Sequence, residues 1–98
     1  MSEEVTVVAT VQARAGMEAD VEGIIRTCVS ATRHESGCRL YTAHSDPQHA
    51  GRFVFIERWE SREALARHEQ EPHFLAMAEA FKTRLEGPIE VQLLRELT

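Results

Sequence analysis

The sequence predicts an α+β domain with the order β-α-β-β-α-β, both helical segments covering one face of a four-stranded antiparallel sheet. Three observations lead there. Apolar residues alternate with a period of two at both ends of the chain and again twice in its middle. Between these runs the period changes to that of an amphipathic helix. Clusters of turn formers separate the two middle strands. This is the split arrangement of ferredoxin-like folds.

Each element follows from its residues. From Val5 to Arg14, Val5, Val7, Ala9, Val11 and Ala13 share one face and Thr6, Val8, Thr10 and Gln12 the other. Alternation with β-branched residues makes a strand, and Ala15-Gly16 breaks it. From Met17 onward, Val21, Ile24, Ile25, Cys28, Val29 and Thr32 fall on one side of a helix. Ser36-Gly37 ends that segment, with Gly37 in the left-handed conformation. Strands over Cys38–Ser45 and Arg52–Glu60 are joined by Asp46-Pro47-Gln48-His49-Ala50-Gly51, a hairpin connection. Ser61 caps a short helix running through Gln70. Pro72, favoured at the first helical position, opens a second one with Phe74, Met77, Ala78, Phe81 and Leu85 as its buried stripe. Gly87-Pro88 stops it, and Ile89–Leu97 is the last strand, with Ile89, Val91, Leu93 and Leu97 on one face.

The 98 residues form one domain, 1–98, near the low end of the usual size range. A net charge of −5 with a single lysine, Lys82, is the wrong sign for a nucleic-acid partner. No segment approaches the ~20 apolar residues that span a bilayer, and the first residues do not form a signal peptide. Cys28 and Cys38 have neither metal nor disulfide spacing, so reduced thiols in a cytoplasmic protein are expected. The third strand carries Phe53, Phe55 and Trp59 on one face but Val54 and Ile56 on the other. Val8 and Leu94 likewise sit on nominally polar faces. Helices can cover only one side of such a sheet, so a second copy of the chain is expected to cover the other, as a homodimer.

With these elements in place the chain resembles the antibiotic-biosynthesis monooxygenase domain family, small dimeric α+β barrel proteins that include cofactor-independent quinol monooxygenases. The residues that carry the likeness are Arg14-Ala15-Gly16 after the first strand, Glu35-Ser36-Gly37-Cys38 with Tyr41 beyond, and Phe55-Ile56-Glu57-Arg58-Trp59. His68-x-x-x-Pro72-His73-Phe74 and the closing Gly87-Pro88 complete it. The resemblance implies a pocket between sheet and helices in each subunit, and oxygenation of a phenolic or quinol-type ring without metal or flavin. A haem-degrading branch has Asn, Trp and His where this chain has Ala9, His68 and Ala78; Ala78 cannot ligate iron, which argues against haem breakdown.

Oxygenation without a cofactor requires the substrate itself to donate electrons to O2. A phenol does so more readily once deprotonated, so a general base and oxyanion-stabilising groups are needed. Histidine suits the base role because its ordinary pKa of about 6.5 lies near working pH. His68 and His73 are the catalytic candidates. His73 falls at the second position of the helix opened by Pro72, where the helix dipole favours the neutral ring. Tyr41, Phe55, Trp59, Phe74 and Met77 are the candidate substrate-binding residues, with the Trp59 N–H and Tyr41 hydroxyl available to a substrate oxygen. Arg58 points away from Trp59 and is expected in an interface or surface ion pair, with Glu57 or Glu60 of a neighbour as candidate partners. His44-x-Asp46-x-x-His49 has acceptable ligand chemistry but lies in an exposed turn, so no metal site and no cofactor are expected. Two other readings need the same apolar cavity: a non-catalytic module holding a small ligand, and a histidine-dependent isomerase of a small carbonyl or sugar compound.

Overall fold

The computed structural model describes residues 3–98; Met1 and Ser2, the first residues of the predicted domain, lie outside the described residues. The chain runs β1 (Val5–Gln12), α1 (Glu18–Thr32), β2 (Cys38–Ser45), β3 (Arg52–Trp59), α2 (Arg62–His68), α3 (Pro72–Phe81) and β4 (Glu90–Leu94). The strands form one antiparallel sheet in the order β2-β3-β1-β4. The two central strands, β1 and β3, are thus the ones that most need burial. Their alternation supplies it: Val5, Val7, Ala9 and Val11 face the helices from β1, and Phe53, Phe55, Glu57 and Trp59 face them from β3. The helices answer with Val21, Ile25, Cys28 and Val29 from α1, Ala64 and Leu65 from α2, and Met77 and Phe81 from α3.

The predicted order and sheet are those observed, and the differences sit at element ends. β1 stops at Gln12, two residues short of Arg14, because Ala13 leaves the ladder to bridge Leu85. Leu85 is buried as expected, but not on a helix. α3 ends at Phe81, and Leu85 reaches the core through a turn whose N–H groups bond back to Glu79 and Phe81. α2 ends at His68 rather than Gln70. β4 is shorter than predicted, and Leu97 lies beyond it, 90% exposed rather than on the strand's apolar face.

Two local devices set the geometry near the sheet's β3 end. Ser61 caps α2 by accepting the Ala64 N–H at 3.1 Å, which starts the helix one residue after the strand turn. Gly37 has φ +90°, and a Cβ there would lie 2.7 Å from the Ala64 Cβ. Only glycine lets the loop after α1 close this tightly onto α2. The close approach brings Glu35, two residues before Gly37, against the face of α2 that also carries His68, one turn beyond Ala64.

Candidate functional site

Between the sheet and the pair α2 and α3 lies a cavity of about 140 Å³. Val7, Ala9 and Val11 form its floor with Phe55 and Tyr41, while Phe74, Met77 and Phe81 form its roof. Besides Tyr41, three ionisable side chains join this otherwise greasy lining: His68, Glu57 and Glu69. Ile89, Val91 and Leu93 supply a further wall, yet remain 40%, 54% and 45% exposed, since β4 packs chiefly on β1 and not beneath a helix. The cavity is therefore open along β4.

His68 is the last residue of α2 and is 1% exposed. Its ring lies 4.6 Å from that of Trp59, tilted at 34°, with Phe74 at 5.0 Å and Tyr41 at 5.3 Å presented edge-on. Packing on three sides leaves the imidazole little rotational freedom. Its Nδ1 is 2.8 Å from Glu35 Oε2, so in the neutral ring Nδ1 carries the proton and Nε2 keeps its lone pair. The same carboxylate oxygen accepts from His73 Nε2 at 2.5 Å. A loop residue and one residue from each of two helices thus meet at one oxygen atom. α3 begins four residues after α2 ends, and Pro72 at its first position places His73 on the turn facing the loop. His73 does not line the cavity; its side chain is 21% exposed and connects Glu35 with the surface.

Glu57 is the other unusual group. It shares the inward face of β3 with Phe53, Phe55 and Trp59, and it is 6% exposed. Burial pushes its carboxyl up to about 7. The Trp59 N–H, donated to Oε1 at 2.9 Å, opposes that rise, and the charges of Glu69 and Glu35 add to it. At neutral pH Glu57 therefore divides between carboxylate and carboxylic acid. Tyr41 is buried with the Cys28 thiol beside its hydroxyl, and burial drives its pKa far above the ordinary phenol value, so it is a neutral hydroxyl.

The cavity thus gathers Tyr41, Phe55, Phe74, Met77 and His68 from the candidates named by sequence. Trp59 is a correction: it is 0% exposed, lies behind the cavity wall, and spends its N–H on Glu57 instead of a substrate oxygen. Arg58 is another. It pairs within its own chain with Glu4, at 3.0 and 2.7 Å, and Glu4 also takes Arg39 at 2.8 Å. His44, Asp46 and His49 make a turn. Asp46 accepts the Gln48 N–H, His49 and Arg52, and His44 bonds Thr42. Sequence reasoning missed Glu57 and Glu35. The signal for Glu57 was present, since the alternation that assigns Phe55 and Trp59 inward assigns Glu57 inward too. No local pattern announces Glu35.

Comparison with known proteins adds the family. The model of the antibiotic biosynthesis monooxygenase family matches residues 4–80. Rv0793 of Mycobacterium tuberculosis, named "Putative monooxygenase", is 30% identical over 97 residues, covering 99% of this chain and 95% of that protein. Its structure superposes with a TM-score of 0.92 over 98% of this chain and 97% of that one, at 29% identity. The structure of PA3566 from Pseudomonas aeruginosa gives a TM-score of 0.93 at 32% identity, covering 100% of this chain and 98% of that one. The chain belongs to the antibiotic biosynthesis monooxygenase family.

Proposed function

We propose that this protein is a cofactor-independent monooxygenase that oxidises a small phenolic or quinol-type ring with O2. The observation that carries the reading is a buried imidazole, fixed by a carboxylate on one nitrogen, in the wall of an apolar cavity. A cavity of about 150 Å³ holds a benzene ring, and 140 Å³ here matches one aromatic ring. His68 Nε2 takes the proton of the ring hydroxyl. Glu35 holds the Nδ1 proton and stabilises the imidazolium that forms. Glu57 in its acid form donates a hydrogen bond to the oxyanion, as a neutral acid in an apolar site is suited to do. The electron-rich phenolate then adds O2 at an unsubstituted ring carbon, and the His68 imidazolium returns its proton to the peroxide oxygen to give a hydroperoxide. Its O–O bond breaks as the C–H proton leaves, giving a quinone carbonyl and one water. The ring supplies all four electrons that reduce O2, two for each oxygen atom, so no external reductant enters.

Reduced quinols, catechols and simple phenols tested in an oxygen electrode should consume one O2 per ring oxidised, with quinone formed in step. Anaerobic samples should bind these rings, read by fluorescence of the single tryptophan stacked on His68, without turning them over. Binding without oxygen uptake for every ring tested would replace the enzyme with a ligand-holding module. Conversion of small carbonyl or sugar compounds in the absence of oxygen would replace it with an isomerase.

We further propose that the working unit is a homodimer. Val91 and Leu93 on the inner side of β4, and Ile56 and Leu94 on the outer side of the sheet, are large apolar residues left substantially exposed. A second copy laid against the sheet and β4 would cover them and close the open side of the cavity. Light scattering should give twice the chain mass, and Leu94→Asp should shift it toward the monomer. A wild-type chain that scatters as a monomer at tens of micromolar would reject the dimer.

A further inference from the structure

The cluster at Glu35 has a chemistry that proton transfer does not exhaust. Two imidazoles and one carboxylate are the donor set of zinc-class cations, and three protein ligands with an open position are the usual form of a reactive site for them. Glu35 Oε2, His68 Nδ1 and His73 Nε2 all lie within 4.8 Å of one another. With metal–ligand distances near 2.1 Å, tetrahedral donors stand about 3.4 Å apart, so the Glu35 contacts of 2.8 and 2.5 Å must open by less than about 1 Å. Glu35 sits on the loop between α1 and β2, where a change of side-chain rotamer achieves this without moving a helix.

We propose that Glu35, His68 and His73 bind one divalent transition-metal cation of the zinc class. Three independent features support the site. The His68 ring is already held by Trp59 and Phe74, which pre-orients one ligand. The adjoining cavity brings two further carboxyl groups, Glu57 and Glu69, and no arginine or lysine lines it. His73, 21% exposed while His68 and Glu35 are nearly buried, provides the entry from solvent. At the turn of His44, Asp46 and His49 the carboxylate is already engaged by Arg52, and His44 bonds Thr42 instead.

Metal on His68 Nδ1 takes the place of the proton that Glu35 accepts, and the ring's remaining proton then resides on Nε2. A metal-bound His68 has no free lone pair. Cation binding and proton acceptance by His68 therefore exclude each other, a consequence that rests on the oxygenation reading above, whereas the site itself does not.

Chelator-stripped protein titrated with Co2+ should develop the visible bands of a low-coordinate ion, saturating at one equivalent and reversed by Zn2+. Glu35→Gln and His73→Ala should each weaken Co2+ binding by at least about tenfold, the smaller effect known for partners that merely support ligands. His49→Ala should leave it unchanged. Circular dichroism of the variants confirms their fold, and His73→Ala, at a partly exposed position, serves if Glu35→Gln does not fold. Absence of a stoichiometric spectrum, or binding that survives both cluster variants and disappears in His49→Ala, overturns the site. Oxygen uptake that continues undiminished in the Co2+-saturated protein overturns the exclusion alone. Failure of all oxygen uptake in the metal-free protein overturns the oxygenation reading and not the cation site, which the Co2+ titration decides by itself.

Discussion

His68→Gln is expected to lower oxygen uptake by about 10² to 10⁴-fold, the usual contribution of a positioned general base, while leaving ring binding within a few-fold of wild type. Glutamine fills a similar volume between Trp59 and Phe74 and keeps a side-chain N–H for Glu35, but it has no basic nitrogen. Alanine is a poorer test. It would leave a void beneath a ring that is 1% exposed and remove a donor from a nearly buried carboxylate, both costing stability by themselves. Oxygen-electrode rates, thermal melting and tryptophan fluorescence on the same sample separate chemistry from folding and binding. Turnover retained in a folded His68→Gln protein would remove His68 as the base.

The second large effect is on stability and its dependence on pH. Glu57 titrates at about 7 in the folded protein against 4.5 as an ordinary glutamate. A raised carboxyl binds its proton more tightly when folded, so its favourable contribution is complete below about 4.5 and is lost as pH rises through about 7. The loss across that window amounts to up to about 3 kcal/mol. Glu57→Gln keeps an oxygen for the Trp59 N–H and removes the charge. The variant should therefore match wild type near about pH 4.5, exceed it by up to about 3 kcal/mol near about pH 8, and show a flatter profile. Urea unfolding at fixed protein concentration, repeated across that range, measures it. Parallel profiles for the two proteins would mean that Glu57 is ionised without penalty.

Much of this architecture was legible before any coordinates. The alternation in Val5–Gln12 and Arg52–Trp59, the helical spacing from Val21 to Thr32, and Ser61 and Pro72 at helix starts are local signals, because each reflects one element's own period or cap. The misplaced ends of β1 and α3 were set by a long-range partner. Ala13 and Leu85 leave their expected elements to pair with each other across the domain. Leu97 follows the apolar period but has nothing to pack on in the chain itself. Trp59 had the correct face, but which neighbour its N–H would meet depended on Glu57, two residues away on the same side.

By itself the sequence determined the order of elements, the inward faces of β1, β3 and α1, and the presence of Tyr41, Phe55, His68, Phe74 and Met77 on elements that border a common interior. Only the tertiary structure decided that Glu35 joins His68 and His73, that Glu57 is buried with a raised pKa, and that β4 leaves the cavity open. Periodicity reports which way a side chain faces relative to its own backbone. A charge cluster depends on how loops and helix ends converge from 33 and 38 residues apart, and here that convergence was set by a glycine with no side chain to keep Glu35 away from α2.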